Sequence, residues 1–175
     1  MEKNKTNFLS LNLTRALIYK ITLFFSLIGI ATILPALIHY QPITGPLVNA
    51  TLFISALLLG TEAAIMIGLV PSLIALTSGL LPAVLAPMIP FIMVSNAILV
   101  LTFSLFQKKN YWLGIISASL IKFIFLFSTS SIVINLLLKK EVATKVAQIM
   151  SWPQLLTALA GGIIAWLILK ISKKR

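Results

Sequence analysis

The chain has 175 residues, 59% of them hydrophobic and only 10% charged. A soluble domain carries about a quarter charged residues, so this composition excludes an ordinary solvated surface and predicts an all-α integral membrane protein, a single domain over residues 1–175. The net charge of +11 does not point to nucleic acid, because the basic residues gather at the ends of apolar runs, where membrane topology explains them.

Taken in chain order, Met1 to Thr14 is polar, with Lys3, Lys5 and Arg15 ahead of the first apolar run. The run Ala16 to Ile38 is too long for a signal-peptide core, and no small-residue cleavage site precedes a soluble remainder, so it is expected to be the first membrane helix. Lys20 lies one turn inside and can snorkel to the interface. His39 to Pro46 holds two prolines and a glycine and is expected to be a turn. The second helix is expected over about 47–59 and the third over about 63–77, with Gly60-Thr61-Glu62 as a minimal reversal between them. A carboxylate at mid-bilayer is expensive, whereas Glu62 at a helix N-terminus favours the macrodipole.

Leu80 to Asn96 lies at the centre of the chain and is interrupted by Pro82, Pro87 and Pro90. Each proline removes a backbone donor and resists a helix interior. The run therefore predicts the end of one helix, a tight non-helical elbow, and a fourth helix over about 89–106. Gln107-Lys108-Lys109-Asn110 is a polar loop, the fifth helix is expected over about 111–138, and Lys139 to Ser151 is polar and partly amphipathic. A sixth helix over about 153–169 precedes a basic tail over 171–175.

Six crossings place both termini on one side. The N-terminal segment 1–14, Lys108-Lys109 and the basic tail then all face the cytoplasm, around a six-helix bundle over 15–170. Lys139, Lys140 and Lys145 break the pattern by lying outside, offset only by Glu141. That excess is most simply explained by a ligand that is at least partly anionic, or by contact with lipid headgroups.

The candidate functional residues follow from this arrangement. Lys122 lies about 16 Å along the fifth helix, near mid-membrane, with Ser119 and Thr129 on its face. An intramembrane lysine is either functional or snorkels to an interface. Asn49, Asn96 and Gln154 each follow a proline-marked helix start and are expected near the outer face. There, free backbone donors and side-chain amides could hold a ligand. His39, Tyr40 and Trp152 could stack on it or belong to an aromatic belt. Gly60, Ala64, Gly68 and Ser72 recur every fourth residue, a small-residue stripe suited to close helix approach inside the bundle or to docking a partner. Ala158 with Gly162, and Gly161 with Ala165, do the same on the sixth helix.

The chain has no cysteine, one histidine, and only Glu2, Glu62 and Glu141 as acids. No metal site, cofactor or enzymatic activity is expected from that inventory. There is no phosphate-binding loop of the Gly-x-x-x-x-Gly-Lys-Ser/Thr kind, so the chain does not itself hydrolyse ATP.

Gly45-Pro46-Leu47-Val48-Asn49-Ala50, Leu59-Gly60 leading to Gly68, the elbow ending Ser95-Asn96-Ala97, Lys122-Phe123, and Trp152 through Gly162 together resemble the substrate-specific (S) components of energy-coupling factor transporters. The resemblance covers most of the chain after Thr14. It implies a six-helix protein of the bacterial plasma membrane that binds a vitamin or similar micronutrient at its outer side. It also implies docking on a transmembrane coupling subunit with two cytoplasmic ATPases, followed by tipping in the membrane to release substrate inward. The site is implied at His39 to Pro46, Gly79 to Pro87, Lys139 to Trp152 and the nearby helix ends. Family members often carry an Ala-x-x-x-Ala docking pair on the first helix. Here Ser26 stands opposite Ile30 and Ala31 opposite Pro35 at that spacing, which leaves the Gly60 to Ser72 stripe as an alternative docking face. Two other readings stay open: a membrane anchor or assembly subunit of an enzyme complex, and a small channel or secondary carrier.

Overall fold

A computed structural model gives the structure of the chain and describes residues 2–38, 40–77, 83–137 and 140–172. The described residues form α1 (Glu2–Ile38), α2 (Gln41–Leu58), α3 (Thr61–Thr77), a 3-10 helix (Ala83–Met88), α4 (Ile89–Phe106), α5 (Tyr111–Leu137), α6 (Lys140–Ile149) and α7 (Trp152–Ser172). Four stretches, Leu13–Ile38, Ala86–Phe106, Tyr111–Val133 and Val146–Ser172, are long and apolar enough to cross a membrane, while Pro42–Leu58 and Thr61–Ile74 are shorter apolar helices. The six expected apolar helices are all present.

The breaks between them have local causes. Gly60 has φ +93°, a conformation that costs glycine little and other residues much, so α2 turns into α3 across two residues. From Ala83 onward the proline elbow is not the non-helical turn expected but a 3-10 helix, Ala83–Met88, followed by α4 from Ile89 as expected. Pro87 sits inside the 3-10 helix and Pro90 in the first turn of α4, where a missing backbone donor costs nothing. Asn110 caps α5, its Oδ1 accepting from the backbone N–H of Trp112 at 2.8 Å, the usual service of an asparagine at that position.

Three boundaries differ from the sequence reading. α1 is helical from Glu2, well before the apolar run begins. α2 starts at Gln41, about six residues earlier than expected, because Pro42 falls in its first turn and Pro46 is accommodated within it; prolines that read as turn signals are here helix-starting residues. The segment after α5, polar and partly amphipathic in sequence and expected as a loop, contains a ten-residue amphipathic helix, α6.

α2 is the axis. Residues 49–56 are all buried, so this helix is covered on every side and needs no polar face. Around it, Leu52, Phe53, Ile67, Leu99, Phe103, Ile115, Ala118, Ala158 and Ala165 form one core shared by α2, α3, α4, α5 and α7. Towards the α4–α5 loop the core becomes aromatic, with Phe53 against Phe103 at 4.7 Å and Phe103 against Tyr111 at 5.7 Å. There the Tyr111 hydroxyl donates to the Gly162 carbonyl at 2.9 Å. At the opposite end a second, smaller cluster joins Met88, Leu126, Val133, Val146 and Met150. This cluster seats α6 across the ends of α4 and α5.

Candidate functional site

Between these two apolar clusters lies a polar centre built from four helices. Lys122 of α5 donates from Nζ to Asn49 Oδ1 of α2 at 2.7 Å and to Asn96 Oδ1 of α4 at 2.8 Å. Asn96 Nδ2 in turn donates to the backbone carbonyl of Gly68 on α3 at 2.8 Å. That bond fixes which end of the Asn96 amide faces the lysine, an assignment that otherwise rests on network logic. Lys122, Asn49 and Asn96 are each only 3% exposed. The lysine therefore points inward and does not snorkel. A buried ammonium is tolerated only where its donors are met, and two amide oxygens meet two of its three N–H donors.

The glycines explain how the helices come close enough. A Cβ on Gly68 would lie 3.2 Å from both Asn96 Cβ and a Leu52 methyl. A Cβ on Gly161 of α7 would lie 2.6 Å from Asn49 Cβ and 2.8 Å from the Pro46 carbonyl oxygen. α7 thus presses α2 from behind and α3 presses α4, which sets the distance between the two asparagines and the lysine.

The sequence-selected residues divide accordingly. Asn49, Asn96 and Lys122 come together. Asn49 lies deeper than expected, because the earlier start of α2 puts it about 12 Å along that helix, near its middle. Gln154 stays apart, in the first turn of α7, where its Nε2 donates to the Ile149 carbonyl at 3.2 Å and ties α6 to α7. It lines a groove of about 470 Å³ with Pro42, Pro46, Ile149 and Thr157. Tyr40 precedes α2 and is exposed. Trp152 is exposed at the start of α7 and stacks on Phe123, ring centroids 5.3 Å apart. His39 and Lys139 lie outside the described residues, as do Gly79 to Pro82 of the elbow. Lys140 opens α6, its side chain likewise undescribed. Of the small-residue stripe, Ala64, Gly68 and Ser72 are buried against the bundle and Gly60 is exposed at the turn.

Two contributions were not readable from the sequence, although Gly68 belongs to the small-residue stripe and α6 falls within Lys139 to Trp152, where the resemblance implies the site. The Gly68 carbonyl is one; nothing in a glycine's identity announces its carbonyl as an acceptor. The other is the packing of α6, whose Val146, with Met150 just after the helix, joins the second apolar cluster. Their spacing of four was a faint amphipathic signal in a short segment.

In comparison with known proteins, residues 20–172 match the family model described as ECF transporter, substrate-specific component. No curated protein and no solved structure matches the chain.

Proposed function

From the premise that this chain belongs to the substrate-specific components of energy-coupling factor transporters, we propose that it captures a vitamin-like micronutrient in the bacterial plasma membrane through Lys122, Asn49 and Asn96. The single observation that carries this reading is the buried lysine held by two amides from two other helices. Such a centre is costly in a bundle that needs only to be a bundle, and intramembrane charges mark binding and transport sites. A membrane anchor would have no use for it.

In this reading the termini and Lys108-Lys109 face the cytoplasm, by the positive-inside bias, and the elbow and α6 face outward. The ligand reaches the polar centre from that outer end, between the 3-10 helix and α6, with Tyr40, Trp152 and Gln154 at the rim and His39, Lys139 and Lys140 in the flanking loops. Partners are a transmembrane coupling subunit and two ATPases, since the chain has no nucleotide-binding loop of its own. The docking face is either α1, with Ser26 and Ala31, or the end of the small-residue stripe near Gly60.

Two measurements check this. The chain is free of cysteine, so Gln148→Cys and Lys109→Cys can be made singly, both at exposed positions. An impermeant maleimide added to intact cells labels Gln148→Cys and leaves Lys109→Cys untouched; the reverse pattern inverts the orientation. Native mass spectrometry of the purified chain shows a one-to-one complex with a small molecule. Co-purification with a soluble enzyme and no retained small molecule would support the anchor reading instead.

A further inference from the structure

We propose that the ligand carries a single carboxylate, which Lys122 receives as its counter-ion. This rests on the reading that the chain captures a ligand at the Lys122 centre, and names the chemistry of what it captures. Among the described residues Nζ of Lys122 has two protein partners, both neutral amide oxygens. An ammonium has three donors, so one is left over. Nor, among the described residues, is there an anion within reach. The acids of the chain are Glu2, Glu62 and Glu141. Glu62 is exposed at the start of α3, Glu2 begins α1, and Glu141 stands at the start of α6, after α5 has ended at Leu137, about 22 Å along that helix from Lys122; the side chains of Glu2 and Glu141 lie outside the described residues.

Amide oxygens satisfy geometry but not charge, and a buried ion without an opposite charge is the expensive case. A second polar group points the same way. Ser119 Oγ is fully buried and has no hydrogen-bond partner. It sits three residues before Lys122 on α5, hence on the same face. Buried hydroxyls are nearly always paired, and although Ser104 Oγ on α4 is a second orphan, the one on the lysine's own helix face fits a site that awaits an acceptor. The charge count selects the group: one lysine balances one negative charge, which fits a carboxylate and leaves a phosphate dianion half neutralised. Towards the elbow, Leu126 and Val133 on the same helix pack against Met88, Val146 and Met150, so what neighbours the lysine on that side is apolar.

The test uses the full chain in lipid nanodiscs and a low-molecular-mass yeast extract, split on an anion exchanger into retained and unretained fractions. The expected result is that the retained fraction raises the thermal unfolding midpoint, and still does so after phosphatase treatment. Lys122→Met then loses that response, corresponding to roughly thirtyfold weaker binding or more. Asn49→Asp supplies an internal anion at the position of the 2.7 Å contact; its own midpoint rises without ligand, and the extract adds nothing further. Stabilisation by the unretained fraction alone leaves capture intact and overturns the carboxylate, as does a response abolished by phosphatase or one unchanged in Lys122→Met. A lowered midpoint in Asn49→Asp also overturns it, since the centre then lacks no anion. If neither fraction stabilises the wild type, the capture reading itself falls and this assignment with it.

Discussion

Asn96→Ala lowers the stability of the protein by about 3–5 kcal/mol and abolishes ligand retention. The side chain serves two partners, accepting from Lys122 at 2.8 Å and donating to Gly68 at 2.8 Å. A hydrogen bond to a charged group contributes about 1.5–3 kcal/mol, and an orphaned buried carbonyl costs about 1–3 kcal/mol. Truncation strands both at once at a position only 3% exposed. The effect also spreads, because the lysine is then held by Asn49 alone. Equilibrium unfolding in mixed micelles reads the change. A variant within about 1 kcal/mol of wild type would mean that the four-helix network is not formed.

Gly161→Leu is expected to prevent the native bundle from forming. The first added carbon already lies 2.6 Å from Asn49 Cβ, 2.8 Å from the Pro46 oxygen and 2.9 Å from the Ala50 nitrogen. Two of those three atoms are backbone and cannot rotate away. Overpacking by a methyl or two costs about 1–3 kcal/mol, and leucine adds three further carbons into the same closed contact. Because α2 carries Asn49, the displacement reaches the polar centre even where some structure survives. Gly29→Ala on α1 is the matched control. Its Cβ would meet only a methyl of Ile33 at 3.8 Å, so stability stays level or rises by up to about 1 kcal/mol from better helix propensity. Size-exclusion profiles and thermal midpoints of both variants in detergent give the comparison.

The contrast between these two glycines shows what the sequence could and could not disclose. Both stand in apolar helices, and both look like ordinary membrane glycines. Only the crossing of α2 and α7 makes one of them indispensable. The helices themselves were legible because a lipid-length apolar run has few alternatives, and Gly60 and Pro90 announced their breaks through backbone chemistry. The start of α2 was misplaced because proline signals both a turn and a helix's first turn, and local sequence does not separate the two. α6 escaped because ten residues with three lysines and a glutamate in and beside them look like a loop until Val146 and Met150 find the second cluster.

The polar centre was half visible. Lys122, Asn49 and Asn96 stood out as rare polar side chains within apolar runs. Their meeting was not readable, since it depends on the register of helices 73 and 26 residues apart in sequence. Gln154 looked equivalent to the two asparagines by its position after a proline. The structure gives it a different task, holding α6 to α7. The stripe through Ala64 and Gly68 fixed a face of α3 but not what that face meets, and in the bundle it meets Leu52 and Asn96.

In the proposed function this chain binds a substrate and leaves the work of import to partners. Reconstituted uptake tests it most directly. Proteoliposomes are prepared with the chain alone, with the coupling subunit added, and with the coupling subunit and both ATPases, and are offered the compound that the purified chain retains. Accumulation is expected only in the complete set and only with ATP, with the chain alone binding but not concentrating the compound. Concentrative, ATP-independent uptake by the chain alone would contradict it and make the protein a secondary carrier.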